Sequence, residues 1–272
     1  MDSSAIMKAS SSSVLLDLAN IPEWLSRTQQ MVKRLIPARV REDLQKFDPE
    51  EMYEDTMTYL VNCSTKHGDF VEVGEWSDKF DSGYLRRYTH IRAFHACRAY
   101  TGLESYKTHG IQKLSRPLLK ELAHLVFGDN ATAAAIDKAV NNTKISSVEK
   151  SVYLFTDSIH PLDEACNHYL LSGSEILQAM SIDLGLHSRR ILASQGEPYL
   201  IECEIPLKHV SQGFRQELWR KFVTQSFRIA AGANCPTKPY DFCIRVTKPV
   251  SPESITAFHR IDGRLRSFCS VH

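Results

Sequence analysis

Four short runs constrain the fold of this chain more than anything else in it. "THIRAFHA" (89–96), "SVYLFTD" (151–157), "PYLIECEIPL" (198–207) and "DFCIRVTKPV" (241–250) concentrate apolar, β-branched and aromatic residues over strand-like lengths. In the third, Tyr199, Ile201, Cys203 and Ile205 are offset by one position from Leu200, Glu202 and Glu204, the pattern of a half-buried strand. The stretches between these runs carry helical spacing, but they do not alternate with the strands one for one. That arrangement predicts an α+β domain. "SPESITAFHRI" reads as a turn feeding a further strand or a tail.

Helix signals fill the gaps. "GLESYKTHG" is a short helix closing on Gly110 in a left-handed position. "RPLLKELAHLVFG" opens with proline at the helix start, and "NATAAAIDKAV" continues from a cap at Asn130. "HPLDEACNHYLLSGSEILQAM" is helical with a break at Gly173, and "RQELWRKFVTQSFRIAAG" is an amphipathic helix or structured loop. Upstream, Val14 to Leu35 show helical spacing interrupted at Pro22, and a helix through "DPEEMYEDTMTYLVNC" is capped by Asp48. Residues 1–85 therefore read as a helical N-terminal extension and residues 86–272 as the α+β domain.

Composition narrows the function classes. Over 272 residues the formal charge is only +1, so any nucleic-acid contact is local and not a polyanion-coating surface. Seven cysteines without a C-x-x-C pair fit reduced thiols in the cytoplasm, and give no spacing for a structural metal. No run approaches the ~20 apolar residues that span a bilayer, and the N-terminus lacks a signal pattern, so a soluble protein without a membrane partner is expected. The absence of G-x-G-x-x-G, P-loop, G-x-S-x-G and H-E-x-x-H motifs removes the commonest oxidoreductase, nucleotidase, hydrolase and zinc-protease readings.

Taken singly, His95, Arg98 and Gly110 have ordinary explanations as a hydrogen-bonded core histidine, an ion-pair partner and a helix stop. Their order carries more. "FHACR" followed by "LESYKTHGI" resembles the ADP-ribosyltransferase superfamily in its His-Tyr-Glu branch, that of poly(ADP-ribose) polymerase and diphtheria toxin. There a strand ends in histidine and a small pair, and a short helix closes on Gly-Leu or Gly-Ile. "SVYLFTD" is similar to the family's tyrosine strand through Tyr153, "DEACNHYLL" supplies a second aromatic at Tyr169, and "YLIECEIPL" resembles the apolar strand that follows. The last family strand opens on glutamate, and "YDFCIRVTKPV" presents Asp241 there, while Ala96 stands where the family has glycine. The resemblance covers residues 88–262 and implies a split mixed β-sheet with flanking helices.

It further implies that NAD⁺ is the substrate, with no metal, and that ADP-ribose passes to a macromolecule. Departure of nicotinamide leaves an oxocarbenium-like ribose, which calls for geometry and nearby negative charge. In that scheme His95, Tyr153 and Asp241 are catalytic. His95 holds the ribose, Tyr153 and Tyr169 sandwich the nicotinamide, Asp241 favours the developing charge and accepts a proton, and Arg98 holds the pyrophosphate. Glu202 and Glu204 spell Glu-x-Glu, which resembles the arginine-specific branch, though a solvated strand row is the simpler account. Trp219, Arg220 and Lys221, with neighbouring basic and aromatic residues in 214–228, suggest a stacking surface for RNA, against the plainer reading of a packed amphipathic helix. A stand-alone member of this superfamily looks like a bacterial toxin or phage-defence effector with a neutralising antitoxin partner. Two other readings stay open: an NAD-dependent RNA 2′-phosphotransferase-like enzyme, and a non-catalytic module that kept the fold.

Overall fold

The computed structural model describes residues 14–48, 56–69, 72–145, 149–163, 166–236 and 242–261. The chain is an α+β protein. It begins with strand β1 (Leu15–Leu16), then helices α1 (Ile21–Leu35), α2 (Ala38–Leu44), α3 (Thr56–Lys66) and α4 (Val73–Leu85). Strand β2 (His90–Ala99) follows, with helices α5 (Glu104–His109), α6 (Arg116–Phe127) and α7 (Ala133–Asn142). After β3 (Val152–Phe155) come α8 (His168–Leu171), α9 (Glu175–Asp183) and α10 (Ser188–Ser194). The C-terminal part holds β4 (Glu197–Pro206), α11 (Gln212–Ala230), β5 (Cys243–Val246) and β6 (Ile255–Arg260).

The strands form one six-stranded sheet in the order β5-β3-β2-β4-β6, and β1 adds in parallel to the start of β2. All other pairings are antiparallel. β2 and β4 pair over their full length, His90 opposite Pro206 through Ala99 opposite Glu197. On its other edge β2 shares a single registered pair with β3, Phe94 opposite Phe155. The sheet is thus tightly laced on one side of β2 and barely stitched on the other.

Three apolar clusters flank it. The large one joins Ile91, Ala93 and Cys97 of β2, Leu154 of β3, and Ile201, Cys203 and Ile205 of β4 to Trp24, Leu60, Phe80, Tyr84, Trp219 and Phe222. Those last residues belong to α1, α3, α4 and α11, so helices α1, α3 and α4 share one core with the sheet, and β1 lies in the sheet itself. Each such aromatic contributes roughly 1.5–3 kcal/mol by leaving water. A second cluster unites α6, α7, α9 and α10 through Leu119, Phe127, Ile136, Met180 and Leu192. The third is small: Phe94, Ala96, Phe155, Leu170 and Leu200, with Tyr169 and Cys243 packed against it.

Local expectations fare unevenly. Pro22 stands in the first turn of α1 and starts the helix instead of interrupting one, because its missing N–H falls among the free donors of a helix start. Residues Leu15–Leu16 ahead of it are strand, held by the parallel pairing to His90 and Ile91. The cap of α7 is Thr132, whose hydroxyl accepts from the Ala135 amide, and not Asn130. The first turns of the helix expected from Asp48 lie outside the described residues, which take it up at Thr56. Gly110 has φ +69°, and a Cβ there would meet the Val250 carbonyl oxygen at 1.9 Å, next to the Ile111–Val250 bridge. The glycine therefore serves both a left-handed turn and a backbone approach.

Candidate functional site

Strand alternation decides which side chains meet. Along β2 the large cluster takes Ile91, Ala93 and Cys97 and the small cluster takes Phe94 and Ala96, so His95 projects toward the large cluster, opposite Ile201 in the register. Along β3 the large cluster takes Val152 and Leu154, and the small one takes Phe155. Tyr153 shares the Phe155 side. His95 and Tyr153 are neighbours in the sheet but stand on opposite faces, which corrects the expectation that they close on one sugar. Asp241, expected to complete that set, lies outside the described residues.

His95 has a different bond. Its imidazole is hydrogen-bonded to the backbone of Tyr153, spanning the edge where registered β2–β3 pairing is limited to one residue pair. Burial lowers its pKa to about 4 and the Tyr153 backbone partly opposes that shift, so the ring is neutral near pH 7. The Tyr106 ring lies 6.4 Å away, and Tyr106 is in turn hydrogen-bonded to the Cys97 thiol, whose pKa burial pushes up to about 12. This is a half-buried strut between strands.

Arg98 is also reassigned. Its guanidinium donates to five backbone carbonyls: Nε to Gln195 (2.9 Å), Nη1 to Leu170 (2.9 Å) and Leu171 (3.4 Å), and Nη2 to Ala193 (2.9 Å) and Gly196 (2.8 Å). With its donors spent on α8 and the end of α10, it is a clamp and not a pyrophosphate ligand. Beside it, Gly173 has φ +68°, and a Cβ there would meet the Tyr100 hydroxyl at 2.2 Å, so the loop between α8 and α9 presses against the end of β2.

Trp219 does not form an acceptor surface. Only 1% exposed, it stacks on Tyr84 at 4.1 Å and donates Nε1–H to Asp81 Oδ1 at 2.7 Å. Arg215 pairs with the same carboxylate, Lys221 lies 5.2 Å over the Phe242 ring, and Arg220 alone of the predicted trio is exposed. Helix α11 buries Thr224, Gln225 and Ser226 as well, so it is enclosed on several sides. Glu202, the first acid of Glu-x-Glu, is ion-paired with Arg92 at 3.2 Å, and its Oε2 lies 3.0 Å from His259 Nε2.

The face that carries Tyr153 brings aromatic and ionisable side chains together. Tyr153 is 43% exposed, a large ring left in solvent. Two positions along, Phe155 meets Tyr169 edge-on at 5.9 Å, and the His168 ring lies 4.1 Å from that of Tyr169. Tyr169 Oη donates to Glu175 Oε1 at 3.2 Å, and His168 Nε2 lies 3.2 Å from the same oxygen. Burial and the Glu175 charge push the Tyr169 pKa up, so the phenol stays protonated and donating. Glu175 opens α9, with Ser174 as the cap accepting from the Ile176 amide. Its placement follows from the Gly173 turn, a legible signal, but its bond to Tyr169 was not anticipated. On the β5 side, Arg245 stands directly opposite Tyr153 and Cys243 opposite Phe155.

Among the described residues no group of His, Cys, Asp or Glu could hold a metal ion, and no helix is long and apolar enough to cross a membrane. Comparison with protein-family models, with curated proteins and with solved structures finds no match.

Proposed function

We propose that the protein binds NAD⁺ on the Tyr153 face of the sheet and transfers ADP-ribose to a macromolecular acceptor. One observation carries the reading: Tyr153, Phe155 and Tyr169 line one face, and the Glu175 carboxylate sits at the rim of that aromatic surface. A planar nicotinamide suits offset contact with such rings, each contact being worth about 0.5–1.5 kcal/mol beyond burial. A carboxylate beside it suits the next event. The bond between ribose C1′ and the nicotinamide nitrogen breaks, its electron pair leaves with nicotinamide, and positive charge grows on the ribose. The acceptor's nucleophilic atom then bonds to C1′ and gives its proton to a carboxylate. We assign both tasks to Glu175, one oxygen of which accepts from Tyr169 and lies 3.2 Å from His168 Nε2.

In this reading His95 braces the two strands and leaves the ribose to other groups. The acceptor surface expected at Trp219 is absent, so nucleic acid and protein acceptors are separated by experiment. Incubation with NAD⁺ labelled in the ADP-ribose moiety and cell extract, followed by nuclease or protease, reports the acceptor. Label lost to nuclease alone identifies RNA or DNA, and label lost to protease alone identifies protein. Tyr153→Ala and Glu175→Gln are expected to lower labelling at least about tenfold, the effect of one charge-assisted contact. Labelling that both variants retain would overturn the reading. A toxin or defence role belongs to the same proposal, with Glu175→Gln relieving growth arrest on expression in bacteria.

A further inference from the structure

The reassignment of Arg98 leaves the phosphate-binding role unfilled, and the structure offers another guanidinium. Arg245 is the registered partner of Tyr153 across the β3–β5 ladder. Directly opposed residues point to the same face with Cβ atoms about 4.5–5.5 Å apart, so the Arg245 side chain leaves the sheet beside the exposed Tyr153 ring. Its Nε donates to the hydroxyl of Ser151 at 2.6 Å, and Ser151 is buried, so the root of the guanidinium is anchored. Among the described residues, neither terminal nitrogen of Arg245 has a carboxylate or carbonyl partner. A half-buried arginine fixed through Nε presents its two Nη groups as an oriented fork, the geometry that matches two phosphate oxygens.

We infer that Arg245 is the anchor for a phosphate group of the ligand held on the Tyr153 face, resting on the NAD⁺ reading for the identity of that ligand. The spacing fits a ring joined to a phosphorylated sugar. Phe155, which touches Tyr169, and Tyr153, which neighbours Arg245, are two residues apart on one strand, about 7 Å at strand rise. A ligand with its base at the Tyr169 end extends its phosphates toward the Arg245 end. The contrast with Arg98 is one of free donors. Five carbonyls hold one guanidinium, and a single hydroxyl orients the other.

Calorimetric titration with three probes tests this: NAD⁺, inorganic pyrophosphate and nicotinamide. The wild-type chain is expected to bind all three. Arg245→Gln, which keeps much of the side-chain bulk, weakens NAD⁺ and pyrophosphate about tenfold or more and leaves nicotinamide unchanged. Arg245→Lys restores charge but not the fork and recovers part of the loss. Ser151→Ala falls between wild type and Arg245→Gln. Melting temperatures show that each variant remains folded. Arg245→Gln binding NAD⁺ and pyrophosphate like wild type, while Tyr153→Ala loses NAD⁺, overturns the anchor and keeps the NAD⁺ reading. Pyrophosphate lost in Arg245→Gln, with NAD⁺ bound equally by wild type and Tyr153→Ala, keeps the anchor and overturns the NAD⁺ reading. A wild-type chain that binds neither NAD⁺ nor pyrophosphate overturns both.

Discussion

Two groups of aromatic residues in this molecule have opposite fates. Between α1, α4 and α11, Trp24 stacks on Phe222 at 4.2 Å and Tyr84 on Trp219 at 4.1 Å, and all four are essentially buried. Their polar tips are used inside the protein: Tyr84 Oη meets Thr28 Oγ1 at 2.8 Å, and Trp219 Nε1 reaches Asp81. At the β3–α8 seam the cluster is thin, Tyr153 is left in solvent, and the tip of Tyr169 turns to the exposed rim at Glu175. Rings enclosed by protein, with their donors matched by protein acceptors, supply stability. Rings with an open face and a carboxylate at the rim supply a surface for something else.

The largest effect that sharpens this contrast is expected in the enclosed group. Asp81→Asn leaves the part-buried Arg215 guanidinium without its partner charge and should cost about 3 kcal/mol in denaturant unfolding. A loss under about 1 kcal/mol would show that the enclosed cluster does not carry the fold. Arg98→Ala comes next, at about 3 kcal/mol, since several carbonyls lose a charged donor together. Hydrogen exchange should rise locally in residues 166–196, and uniform loosening instead would contradict the clamp.

His95 gives a pH effect of similar size. Its folded pKa is about 4 against an ordinary 6.5, so the unfolded chain binds a proton first as pH falls. Stability is therefore present above pH 6.5 and is lost between 6.5 and about 4, by an amount on the order of 3 kcal/mol. His95→Asn should remove that part of the slope in a stability-against-pH series. The smallest effect on folding belongs to Tyr153→Ala, within about 1 kcal/mol, because its ring is already in solvent. A larger loss would mean that Tyr153 belongs with the enclosed group after all.

The sheet was readable because its strands obey a local period. β3 and β5 lie within the runs singled out by alternation and β-branched content, β2 extends three residues past its run to Ala99, β4 starts one residue early at Glu197, and the Gly173 break between α8 and α9 is where the turn chemistry puts it. β1 was unreadable: two residues become strand only through a parallel partner far along the chain. Helix α11 follows the plainer of its two readings, a packed amphipathic helix, but is enclosed further than that period suggests. Its polar Thr224, Gln225 and Ser226 are buried, so the sequence period of a surface helix does not describe its surroundings. Arg98 could not be assigned from its neighbours because its acceptors lie 72 to 98 residues away in sequence. The separation of His95 from Tyr153 depends on the strand register, which fixes the face of every side chain and is set by tertiary pairing. Tyr169 packs against Phe155, and strand alternation puts the exposed Tyr153 ring on the same face as Phe155.

The most direct test of the account is the calorimetric titration of NAD⁺ into wild-type protein and into Tyr153→Ala, with the melting temperature of each recorded alongside. The account predicts saturable binding by wild type, at least about tenfold weaker binding by the variant, and melting temperatures that agree within a few degrees. Equal affinity in the two proteins, or no binding by a folded wild type, would contradict it.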